Sequence, residues 1–181
     1  MTFIPSRIAH RAAALMVLML LICFASCENN QSANIVSLKQ SRPDMSCGPE
    51  CLVAFMRLTG EGNPDCDIKC VYVLIGKEPF SDTTLKDLKD AAQKLGLSAN
   101  GYKLTDNDLK KITGYAILPV GGAAGTADDP LHFVLAKLTA EKDVKIINTR
   151  TLQAQTIAVS DLQNAWKGYA LVISTGEDIG P

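Results

Sequence analysis

The chain has 181 residues, with 18 basic and 19 acidic side chains, a formal net charge of -1 and 47% hydrophobic residues. The even charge balance excludes a basic nucleic-acid footprint and an acidic disordered tail, and 6% aromatics are too few for a single-strand stacking platform. Once a leader is set aside, about 150 residues remain, which suits one compact domain.

Arg7, His10 and Arg11 precede an apolar run, Ala12 to Ala25, too short for a comfortable membrane span. It closes in Phe24-Ala25-Ser26-Cys27, followed by polar residues. Small residues before a Cys resemble the bacterial lipoprotein cleavage box, with Phe24 in place of the usual Leu. Residues 1–27 thus read as a signal peptide of lipoprotein type, with Cys27 the lipidation candidate. Cleavage near Ala25 and an uncleaved anchor are the alternatives. All three predict an exported bacterial protein, membrane-anchored on the periplasmic or cell-surface side.

Residues 28–39 read as a polar linker running into a short strand at Ile35, Val36 and Leu38, and 40–46 as a loop. Leu52, Phe55, Met56 and Thr59 form a helical stripe over 47–59, with Pro49 and Glu50 in the first turn and Gly60 at the end. Residues 66–75 fit helix or strand. Leu85, Leu88, Ala92 and Leu95 predict an amphipathic helix over 83–95, capped by Ser81 or Asp82 and stopped by Gly96. Strands are expected at 97–103, 115–120, 131–138, 144–148 and 169–174, and short helices at 106–112 and 160–166. A loop rich in Gly and Asp, 121–130, separates two of the strands. Helices first and strands afterwards argue for an α+β fold with an antiparallel sheet.

Of two histidines, His10 lies in the leader, so imidazole chemistry in the mature chain falls to His132. A core histidine is the plain alternative. Cys47 opens the first helix, where free N–H groups and the helix dipole favour a thiolate. Gly48 leaves the sulfur open to a substrate carbonyl, whereas a buried small hydrophobe is the plain reading of Cys47. Gln40, seven residues upstream, is placed to donate to an oxyanion beside the Cys47 N–H. Asn148, sixteen residues after His132 at the end of the next strand, is placed to orient the imidazole. Cys51 reads as core or disulfide, and Cys66 and Cys70 as a disulfide or buried thiols. A lone mature-chain His argues against zinc, and no motif for a cofactor is present.

The run Gln40-Ser-Arg-Pro-Asp-Met-Ser-Cys47-Gly48-Pro49-Glu50-Cys51-Leu52 resembles the active-site motif of the bacteriocin-processing, double-glycine leader peptidases. The helix from Thr84 to Leu97, Ala116-Ile-Leu-Pro-Val120, His132-Phe-Val-Leu and Trp166-Lys-Gly168 resemble further blocks of that family, over roughly 35–175. The chain departs from it in the seven-residue spacing of Gln40, in Ser46 before the Cys, and in Asn148 for the usual Asp. The resemblance implies a papain-like fold over 40–175, with N-terminal helices packed on an antiparallel sheet and a short tail, 176–181. It implies a cysteine peptidase with Cys47 as nucleophile, His132 as base, Asn148 as orienting residue and Gln40 at the oxyanion hole. Its substrate would be a peptide or protein, cut after Gly-Gly by inheritance, and an exporter is a conceivable partner. A non-catalytic peptide-binding lipoprotein and a cell-wall amidase or endopeptidase are the rival readings.

Overall fold

In the computed structural model, which describes residues 46–121, 132–163 and 165–174, three helices lead into a six-stranded sheet. The signal segment with Cys27, the strand expected near Ile35, Gln40 and the tail lie outside the described residues, as does most of the loop after Gly121.

The first helix, α1 (Cys47–Thr59), ends at Gly60, whose φ of 72° is the left-handed C-terminal geometry glycine accepts without strain. The ambiguous segment is helical: α2 (Ile68–Ile75) starts at Asp67, whose carboxylate accepts the Cys70 N–H at 2.9 Å. A disulfide between Cys66 and Cys70 closes over the same turn. Helix α3 (Leu85–Lys94) starts at Thr84 rather than at Ser81 or Asp82. Thr84 accepts from the Asp87 N–H and Asp87 accepts from the Thr84 N–H, a reciprocal capping box.

The strands are β1 (Ser98–Lys103), β2 (Thr113–Val120), β3 (His132–Thr139), β4 (Asp143–Ile147), β5 (Ala154–Ala158) and β6 (Tyr169–Ser174). Two short helices, α4 (Asp106–Leu109) and α5 (Val159–Gln163), join them. The sheet order is β1-β6-β2-β3-β4-β5 and every described pairing is antiparallel. The last strand is thus inserted between the first two.

Alternate residues divide the sheet into two faces. Ile117, Leu135, Leu171 and Ile173 form one buried cluster with Leu52, Phe55 and Met56 of α1 and Leu88 of α3. The Phe55 ring meets Tyr115 edge-on at 5.4 Å. Residues of the other parity, among them Leu118, Leu138 and Ile146, are buried as well, so the middle of the sheet is covered on both sides. This is the α+β arrangement expected, with the helices of the N-terminal half laid on an antiparallel sheet.

Candidate active site

The N-terminal end of α1 and the starting end of β3 meet through one backbone donor. Pro119 of β2 has no N–H to give its partner Phe133. That pair is therefore of the non-hydrogen-bonded kind, and the Phe133 N–H points away from β2. On its other side β4 stops at Ile147, opposite Leu135, so no strand receives that N–H. It donates instead to Cys47 Sγ at 3.3 Å. The residue directly before this donor is His132.

Cys47 is partly buried at the first position of α1. Ser46 does not cap the helix with its side chain; its hydroxyl donates to Glu50 Oε1 at 3.1 Å. Burial pushes the Cys47 thiol up, against the Phe133 and Gly48 N–H groups, which pull it down, and with the Glu50 charge, which raises it further. The thiolate-favouring helix start is thus outweighed by desolvation. Burial also holds His132 below the usual imidazole range, while the Glu50 charge opposes it. Burial thus opposes the charged form of both groups.

Gly48 serves packing rather than access. A Cβ there would stand 2.7 Å from Thr83 Oγ1, 3.0 Å from Leu88 Cδ1 and 3.2 Å from Phe133 Cδ2. The bare backbone lets α1, α3 and β3 close together behind the sulfur.

His132 pairs with Val120, and Val120 bridges to Trp166. The Trp166 indole donates to the Tyr169 carbonyl at 2.7 Å and is nearly buried, a core residue at the histidine end of the sheet. Asn148 follows β4 by one residue, and extending the β3–β4 register places it opposite Val134, on the same face parity as His132. Its amide oxygen accepts the N–H groups of Arg150 and Thr151, both at 3.0 Å, so it shapes the turn that follows. Among the described residues, no hydrogen bond joins it to His132.

Glu50 is a site residue that sequence reasoning read only as a first-turn acid. It lies one turn beyond Cys47 and accepts from the Thr149 hydroxyl at 3.2 Å. Beside it opens a groove of about 480 Å³ whose walls include Val53, Arg57, Ile68, Tyr72, Phe80 and Arg150. Phe80 stands 62% exposed on a left-handed backbone (φ 65°), its ring 6.4 Å from that of Tyr72. Cys51 is a buried free thiol in the core, and the Cys66–Cys70 disulfide spans Asp67, Ile68 and Lys69 of the groove wall.

Set against known proteins, residues 36–178 match the model of the peptidase C39 family. No curated protein matches. The peptidase domain of Streptococcus ComA, a bifunctional ABC transporter of a quorum-sensing pathway, shares the fold. It is 19% identical, with a TM-score of 0.57 over 74% of this chain and 94% of that one. A double-glycine motif protease from an AMS/PCAT transporter, solved with its leader peptide, is 21% identical, with a TM-score of 0.56 over 74% and 86%.

Proposed function

The chain belongs to the peptidase C39 family, a family of cysteine peptidases, and on that premise we propose that Cys47 and His132 are its nucleophile and base. The observation that carries the pairing is the 3.3 Å bond from the Phe133 N–H to Cys47 Sγ, which fixes the residue after His132 against the sulfur. As Cys47 attacks a peptide carbonyl, its proton passes to His132, and the carbonyl electrons move onto oxygen. The N–H of Cys47, at the first position of α1, is proposed as one donor to that oxyanion and Gln40 as the second. The tetrahedral adduct collapses, the C–N bond breaks, and His132 returns the proton to the leaving amine. Water then hydrolyses the thioester by the same steps, restoring the thiol.

Asn148 is proposed to steady His132, on the strength of the register that sets it on the same face parity. Its amide oxygen would have to be shared with, or released from, the turn it now caps.

The substrate proposed is a peptide with a double-glycine site, lying along the groove beside α1. The apolar walls at Val53, Ile68 and Phe80 suit an apolar segment upstream of the cut. The charged start and apolar run before Cys27 support an exported, lipid-anchored protein, working near an exporter. Among the described residues no helix is long and apolar enough to cross a membrane.

A synthetic peptide with a Gly-Gly site should be cut after the second Gly, with Cys47→Ala and His132→Ala both reducing turnover to background. Cleavage that survives either substitution would sink the mechanism. Binding of the peptide in the groove with no cleavage under any condition would favour the second reading, a peptide-capturing lipoprotein. Burial, which pushes the Cys47 thiol up and holds His132 down, gives this reading a footing. Export and lipidation are tested apart from activity, by loss of labelled fatty acid in Cys27→Ala.

A further inference from the structure

Glu50 is tied in two directions. Oε1 accepts from the Ser46 hydroxyl at 3.1 Å and lies 4.0 Å from Arg150 Nη2. Oε2 accepts from the Thr149 hydroxyl at 3.2 Å. Its side chain is only 20% exposed. Thr149 and Arg150 directly follow Asn148, so this carboxylate joins the helix of the nucleophile to the turn that begins at Asn148. A helix dipole alone would favour an acid in the first turn, but it calls for no partner from a turn 99 residues away.

We propose that Glu50 is a positioning residue for the Cys47–His132 pair: its carboxylate clamps α1 to the Asn148 turn and sets a negative charge beside both reacting groups. The inference rests on the pairing proposed above. Asn148 is neutral, and its amide oxygen is taken up by the N–H groups of Arg150 and Thr151. It therefore supplies no charge to balance an imidazolium. The Glu50 field does reach both members, opposing the effect of burial at His132 and adding to it at Cys47. The other charged or titratable groups along the same groove are Arg57 on α1, Asp67 at the cap of α2, Lys69 and Tyr72 on α2, and Arg150 on the turn. Cys51 lies buried a turn beyond Cys47.

The sign follows from coupled titration. A negative charge raises both protonation steps of an interacting thiol and imidazole, whichever of the two holds the shared proton. Neutralising Glu50 lowers both, so the whole pH window moves to the acid side. A purely structural clamp would lower the height of the profile and leave its position alone.

The test is the pH dependence of Cys47 alkylation by iodoacetamide in the full chain, located by fragment mass, together with the pH profile of peptide cleavage. Glu50→Gln is expected to move both about one pH unit towards acid. Glu50→Asp, which keeps the charge, should leave their position in place while lowering cleavage. Should Glu50→Gln fail to fold, Glu50→Met, of similar length and uncharged, carries the same expectation. Profiles of the uncharged variant that superimpose on those of the parent overturn the inference. His132→Ala separates the two levels. If it leaves the alkylation profile unchanged, the pairing itself is wrong. If it changes the profile and Glu50→Gln does not, Glu50 alone is misassigned.

Discussion

At the scale of single residues, the site is governed by burial competing with local dipoles. Cys47 sits where a helix start should favour a thiolate, yet desolvation wins and the thiol is held up. His132 is held below its ordinary value of 6.5 by burial, which opposes its charged form. Between its folded and unfolded values the unfolded chain binds the extra proton, so the stability contribution is intact above about 6.5 and is lost as the pH falls below it. His132→Gln should therefore flatten the fall in melting temperature between neutral and mildly acid pH. An unchanged slope would show that other groups set the acid limit. The two free thiols among the described residues differ in the same currency. Cys47 is partly exposed and Cys51 is fully buried, so iodoacetamide should label Cys47 in the native protein and Cys51 only after denaturation. Equal labelling under native conditions would contradict this packing.

At the scale of elements, what matters is how closely each helix start is held. Gly48→Ala forces a methyl to 2.7 Å from Thr83 Oγ1 and should cost about 1–3 kcal/mol in denaturant unfolding. Because Phe133 is one of the atoms met, the same change should also displace its N–H from Cys47 and lower cleavage. Thr84→Ala removes half of the capping box of α3 and should cost about 1 kcal/mol, leaving the pH profile of the site untouched. The disulfide closes a very short loop, so Cys66→Ser with Cys70→Ser should lose about 2 kcal/mol, by loop-closure entropy. Those residues flank Asp67, Ile68 and Lys69 on the groove wall, so the same variant should raise KM more than it lowers kcat. A fall in kcat alone would place the effect at the nucleophile instead.

At the scale of the whole molecule, the sheet depends on its last strand. β6 pairs with β1 along six residues and with β2 at Tyr115–Ile117, so removing residues 169–181 strips partners from two strands at once. Such a truncation should abolish cooperative unfolding, whereas Leu171→Ala, at a fully buried centre of β6, should cost about 2–5 kcal/mol and leave the transition cooperative. The stripes of α1 and α3, the glycine stops at Gly60 and Gly96 and the strongest strands were legible in the amino-acid order, because period and turn chemistry are local, whereas the cap of α3 is Thr84 and not the expected Ser81 or Asp82. The candidate pair was named from the same order, since His132 is the one histidine among the described residues and the family blocks place it after β2. Strand β5 escaped notice because Ile157 is its one buried residue, so it carries almost no apolar alternation. The segment at 68–75 was ambiguous because its β-branched residues fit either state, and packing of α2 against α1 and α3 settled it as helix. Only the tertiary structure decided the insertion of β6, the packing need at Gly48, the turn-capping role of Asn148 and the clamp at Glu50. Each depends on partners far along the chain, up to 99 residues for Glu50 and Thr149, and no local pattern encodes which distant groups will meet.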